Sequence, residues 1–149
     1  MFALPLALLA FAATGLADPT PPALTYLYSV NLTFAAPVEI GSVPTGNRAI
    51  LTIAGGAFSG PKLNGKVGSG LDWGLTDAKG VFSPDALYTL HTNDNATILV
   101  SEKGHAPHVQ ILFETASTKY AYLNTIVGYA TGGPNAAGDI ALDVWQIGA

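Results

Sequence analysis

The sequence predicts an all-β fold, a single antiparallel up-and-down barrel of about eight to nine strands. Three observations carry that prediction. Apolar residues recur with period two along most of the chain, turn signals separate the segments, and no window longer than ten residues beyond Pro22 keeps a helical period. The 149 residues suit one core, and the charged fraction of 11% is too low for a disordered chain. The 17 Gly and 10 Pro punctuate the sequence as short strands and tight turns require. The links are short and sequential, without the long crossover of a Greek key, so the strands are expected to close as a barrel around a ligand-sized interior.

Residues 1–17 carry no charged side chain and end in Gly15-Leu16-Ala17, followed by the polar, Pro-rich stretch 18–23. The run is short for a bilayer span and reads as a secretory signal cleaved after Ala17. A barrel domain is expected over residues 24–149. The mature protein is then expected to be secreted, with no stable membrane insertion. The sequons Asn31-Leu32-Thr33 and Asn95-Ala96-Thr97 fit that route, with Asn31 and Asn95 as candidate glycosylation sites.

From Leu24 to Phe34, Leu24, Tyr26, Tyr28, Val30, Leu32 and Phe34 share one face, and Thr25, Ser29, Asn31 and Thr33 dominate the other. Further strands are predicted over 48–54, 62–67, 70–75, 86–92, 96–102, 109–115, 120–129 and 140–147. Turn signals lie at Thr45-Gly46-Asn47, Asn64-Gly65, Ala78-Lys79-Gly80, Asn93-Asp94-Asn95 and Gly132-Gly133-Pro134-Asn135. Asn64-Gly65 is the expected two-residue hairpin.

Several function classes are disfavoured. Six Lys plus Arg against ten Asp plus Glu leave no basic footprint for nucleic acid. Without Cys there is no disulfide, thiolate metal site or thiol nucleophile. His91, His105 and His108 lack the further converging ligands that a metal site needs, so no metal is expected. The stretch from Gly60 to Lys66 resembles the start of a phosphate loop. Val67 stands where Ser or Thr should hold magnesium, and no helix follows.

Asp72-Trp73 sets an acid beside a ring after a Gly-rich turn, where a pocket would raise the carboxyl pKa. Glu114 follows the apolar run Ile111-Leu112-Phe113. Tyr120, Tyr122 and Asn124 share one face of the predicted strand 120–129. Arg48, the only arginine, opens a strand as either a rim ion pair or an anion clamp.

These blocks carry a family resemblance. Gly55-Gly56, Phe58, Gly60-Pro61, Leu63-Asn64-Gly65, Val67, Gly70 and Asp72-Trp73 come first. Asp85 to Asp94, Phe113-Glu114-Thr115 and Tyr120-Ala121-Tyr122-Leu123-Asn124 follow in order. Together they resemble the domain-of-unknown-function family 3237, in its short fungal branch, from Leu24 to Ile147. The resemblance implies a small calycin-like barrel. It also implies secondary-metabolite chemistry, since similar fungal proteins have been linked to cofactor-free ring closure by addition of a hydroxyl across an alkene. The matching polar positions are Arg48, Asp72, Tyr88, Asp94, Glu114, Tyr120 and Asn124. Leu87 departs from the Arg that members often carry, which implies a less anionic ligand or lost activity.

Two functions are expected to compete. In the first, a cofactor-free cyclase, isomerase or lyase acts on an apolar polyketide or terpenoid. Asp72 and Glu114 supply acid–base chemistry, Tyr88 and Tyr120 donate, and Arg48, Trp73, Asp94 and Asn124 bind substrate. In the second, a secreted barrel binds a small hydrophobic molecule without changing it, with Tyr26, Tyr28, Trp73 and Trp145 as walls. A solidly packed barrel would serve neither. Interior carboxylates favour chemistry, because an apolar carrier gains nothing by burying charge.

Overall fold

A computed structural model describes residues 18–148. The signal segment expected over residues 1–17 lies outside the described residues. Eight strands close into an antiparallel barrel: β1 (Leu24–Phe34), β3 (Gly46–Ser59), β4 (Asn64–Asp72), β7 (Asp85–Thr92), β8 (Thr97–His105), β9 (His108–Glu114), β10 (Gly128–Pro134) and β11 (Ile140–Ile147). Each pairs with the next in that order, and β1 closes the ring by pairing with both β3 and β11. The predicted all-β up-and-down barrel is the observed fold. Short strands β2 (Val38–Val43), β5 (Leu75–Thr76) and β6 (Phe82–Ser83) lie outside the ring, β2 and β5 on the first half of β3 and β6 on β5.

The period-two reading of β1 holds from Tyr28 onward, with Tyr28, Val30 and Leu32 buried inside and Ser29, Asn31 and Thr33 turned outward. Before it a bulge between Tyr26 and Tyr28 reverses the parity, so Leu27 is buried and Leu24 and Tyr26, expected on the inner face, are exposed. Predicted bounds agree for β1 and for β11, and β7, β8 and β9 fall within a residue or two at most ends. Three expectations are corrected. The two strands predicted over 62–67 and 70–75 run together as β4, whose register shifts between Val67 and Gly70. Asn64 and Gly65 pair inside β4, so the β3–β4 link is the stretch 60–63. The predicted strand 120–129 begins as a short 3-10 helix, Thr118–Thr125. Its buried residues, Tyr120 and Leu123, are three apart, the repeat of a 3-10 turn and not of a strand.

Glycine is required where backbones touch. Gly56 sits at φ +133° against β1, where a Cβ would lie 1.9 Å from the Asn31 carbonyl oxygen. Gly70 faces Tyr88, and a Cβ there would lie 2.3 Å from the tyrosine Cβ.

The ends of the barrel differ. At one end Leu27, Leu63, Phe113, Tyr120 and Leu123 are buried and the 3-10 helix packs beside β9. The middle is filled by Tyr28, Leu90, Ile98, Val100, Ile111 and Val144. Toward the opposite end the inward side chains become small, with Ala86 on β7 and Gly132 on β10, and the interior opens.

Candidate active site

A cavity of about 350 Å³ occupies the open end. Its walls are overwhelmingly apolar, including Leu32, Leu51, Ile53, Val109, Ile140 and Leu142, with Phe34, Phe82 and Pro107 also contributing. Two lining residues are charged, Asp72 and Glu102. Both are only 5% exposed.

Strand register brings the two acids together. Leu51 pairs with Asp72, Asp72 with Ala86, and Ala86 with Glu102. The carboxylates therefore stand on one ladder row, two strand spacings or about 10 Å apart at Cα. Between them is a methyl side chain that leaves the interior free. Gly74 and Trp73 end the strand just beyond Asp72, and its Oδ1 accepts the Asp85 backbone N–H at 2.9 Å. Asp85 itself pairs with Lys103 at 2.8 Å. On β8, Glu102 follows Ile98 and Val100 on the inward face, and its Oε2 accepts the Tyr88 hydroxyl at 3.4 Å.

Burial raises both carboxyl pKa values. Glu102 is pushed up to about 7, first by desolvation and then by the Asp72 charge, with the Tyr88 bond acting in the opposite direction. Asp72 is raised by desolvation, offset by the Asp85 N–H. That N–H favours the charged form of Asp72, and two like charges in one apolar cavity resist joint ionisation. Asp72 thus ionises first, and Glu102 keeps its proton to near neutrality. The arrangement provides an acid and a base facing one apolar space.

The structure distributes the other sequence candidates differently. Tyr88 is 1% exposed and bonded to Glu102, so it belongs to this cluster. Glu114 does not. It ends β9 in register with the outward residues Gln110 and Leu112, while Val109, Ile111 and Phe113 point inward. Its side chain is exposed and faces away from the cavity, which corrects its expected pairing with Asp72.

Tyr120, Asp94 and Asn124 sit at the closed end. The Tyr120 hydroxyl donates to Asp94 Oδ1 at 3.0 Å, Lys119 donates to Asp94 Oδ2 at 2.6 Å, and Asn124 brackets Thr115 through its N–H and carbonyl. They fasten the 3-10 helix, far from the cavity. Arg48 donates to the Trp73 carbonyl oxygen at 2.6 Å, and the Trp73 ring is 47% exposed, so neither lines the cavity. Tyr26 and Trp145, expected as walls, cluster on the outer face with Tyr129 and His108. Leu87, also outward, is half exposed, so its departure from the family pattern does not touch the cavity.

Of the sequons, Asn95 occupies the exposed β7–β8 turn at φ +66°. The Asn31 amide is engaged at both ends, donating to Asp139 and accepting from Asn135. Among the described residues no group of three or more His, Cys, Asp or Glu could hold a metal.

Glu102 is the residue that sequence reasoning missed. The available signal was parity: Ile98, Val100 and Glu102 alternate on the buried face of one strand, whereas Glu114 alternates with Gln110.

Fold and site together define a closed antiparallel barrel with a one-ended apolar cavity and an acid pair at its wall. The chain belongs to the family described as protein of unknown function DUF3237, whose model matches residues 22–110. It is 38% identical over 141 residues to the hydroalkoxylation enzyme phnH of Penicillium herquei, covering 94% of each chain. A crystal structure of an enzyme from Penicillium herquei superposes with a TM-score of 0.81 at 37% identity, covering 88% of this chain and 98% of that one. A β-barrel-like protein of Acinetobacter baumannii AYE gives a TM-score of 0.81 at 27% identity, with 89% and 99% covered.

Proposed function

We propose that this protein is a ring-closing isomerase that adds a hydroxyl across an alkene within one apolar, uncharged molecule of polyketide or terpenoid type. The observation that carries the reading is the Asp72–Glu102 pair, buried in an otherwise apolar cavity with Glu102 protonated to near neutrality. The likeness to the hydroalkoxylation enzyme phnH supports it.

In this reaction Glu102 gives its proton to one alkene carbon. The substrate hydroxyl oxygen bonds to the other, and the Asp72 carboxylate takes the hydroxyl proton. One C–H and one C–O bond form while the alkene π bond and the O–H bond break, so product and substrate are isomers. Transfer of the proton from Asp72 to Glu102 through solvent resets the site. Positioned acid–base groups contribute about 10²–10⁴-fold, and holding the chain in a ring-closing conformer adds to that. Among the described residues the cavity lining includes no Lys, Arg or His, which favours a neutral ligand over an anion.

Purified protein incubated in D₂O with a neutral alkenol, its hydroxyl placed to close a five- or six-membered ring, should yield the cyclic ether. The ether should carry one deuterium on the former alkene carbon. Unchanged alkenol across a panel of polyketide and terpenoid alkenols that demonstrably bind would leave a binding protein and refute the enzyme. Residues 1–17, read as a secretory signal, further support an extracellular site of action. N-terminal sequencing of protein secreted by its host should begin at Asp18.

A further inference from the structure

Tyr28 is fully buried, and its hydroxyl has no hydrogen-bond partner among the described residues. A buried hydroxyl left unpaired is costly, so a phenol retained where phenylalanine would pack as well calls for a reason. Its ring is fixed edge-on between Phe58 and Phe113, with centroids at 5.7 and 6.3 Å. In the closed ring β1 and β8 are four strands apart in either direction. Tyr28 on β1 and Glu102 on β8 therefore project toward the axis from opposite walls, while Tyr88 on β7 comes in beside Glu102. The groups coupled to Glu102 are Asp72 from β4, Tyr88 from β7 and Tyr28 from β1, and the cavity residues of β3, β9, β10 and β11 are apolar or glycine. The Tyr28 pKa is raised by burial and then by the Glu102 charge, and Tyr28 in turn raises that of Tyr88.

We infer that Tyr28 is a positioning residue whose hydroxyl donates to the Glu102 carboxylate once that group has released its proton. The inference rests on the acid role proposed above for Glu102. With Glu102 protonated, the Tyr88 bond serves it and the Tyr28 donor stays unspent. With Glu102 ionised, a second phenol is poised from the opposite wall, lowering the cost of a bare carboxylate in an apolar interior.

The chain contains three glutamates, Glu39, Glu102 and Glu114, so ¹³C-carboxyl labelling of Glu gives three titrations, with exposed Glu39 and Glu114 as internal references. Tyr28→Phe should raise the Glu102 midpoint by about 1 pH unit, the scale of one hydrogen bond to a charge. The Tm should be kept and the two reference titrations unmoved. An unmoved Glu102 midpoint in a folded Tyr28→Phe chain overturns the inference. If that variant fails to fold, 3-fluorotyrosine incorporated into the Tyr88→Phe chain replaces it: the stronger donor must lower the midpoint, and no change overturns the inference. Because the readout is a titration, the two readings fail separately. A shifted midpoint without turnover of any alkenol upholds the Tyr28–Glu102 contact and sinks ring closure. Turnover with an unmoved midpoint sinks the contact alone.

Discussion

Glu102→Gln removes a carboxyl that burial keeps protonated to about pH 7 and leaves its shape in place. The ordinary value is 4.5, so the native state holds this proton more tightly than the unfolded chain does. The stability it contributes is fully present below about pH 4.5 and is lost as the pH rises through about 7. At about 1.4 kcal/mol per pH unit, the rise from 4.5 to about 7 corresponds to about 3 kcal/mol. The residue is only 5% exposed, so solvent screening removes little of this. Urea unfolding at pH 5 and pH 8.5, run on both proteins, measures the difference. Contributions from the remaining groups cancel when the variant is compared with the parent. The parent should lose about 3 kcal/mol more than Glu102→Gln between the two pH values. With a slope of about 1.5 kcal/mol per molar urea, that is about 2 M in relative midpoint. Parallel curves for the two proteins would refute the reasoning, because they would mean that Glu102 ionises as readily in the barrel as in water.

Other consequences follow from the same geometry. Asp72→Asn and Glu102→Gln should each lower kcat by about 10²–10⁴-fold with the far-ultraviolet spectrum and cooperative unfolding kept at pH 6, whereas Glu114→Gln on the outer face should stay within about twofold. Ala86→Leu would fill the space between the two carboxyls and should abolish binding of a neutral apolar ligand by calorimetry while the far-ultraviolet spectrum is kept. Asn124→Ala strips two bonds from Thr115 and should cost about 1–2 kcal/mol in urea unfolding with kcat unaffected, because it works at the closed end.

The barrel was legible because its signal is repeated in every strand. One buried face per strand forces the period of two, and β11 was readable to the residue from Ile140 to Ile147. The 3-10 helix escaped because Tyr120, Tyr122 and Asn124 also alternate. Only the burial of Tyr120 and Leu123 against the barrel end separates the two periods, and that is tertiary information. Asp72 was legible from its place beside a ring after a glycine-rich stretch. Its partner was not, because an acid on a strand says nothing by its presence. Glu114 follows a conspicuous apolar run, yet it shares a face with Gln110. Glu102 sits between Ser101 and Lys103, where neighbouring polar groups mask its common face with Val100. The pairing of Asp72 with Glu102 depends further on β4, β7 and β8 lying side by side in one register, which no local pattern encodes. Trp73 and Arg48 show the converse, since residues chosen for their chemistry were directed outward by strand parity and by the end of β4.

The most direct test is the pH dependence of kcat/KM for conversion of an alkenol to its cyclic ether. If Glu102 must be protonated to act, the rate should hold level at mildly acidic pH and fall tenfold per unit above about pH 7. Glu102→Gln should remove both the activity and the bend. A rate that stays level through pH 9, or a Glu102→Gln variant as fast as the parent, would contradict the assignment of the buried acid.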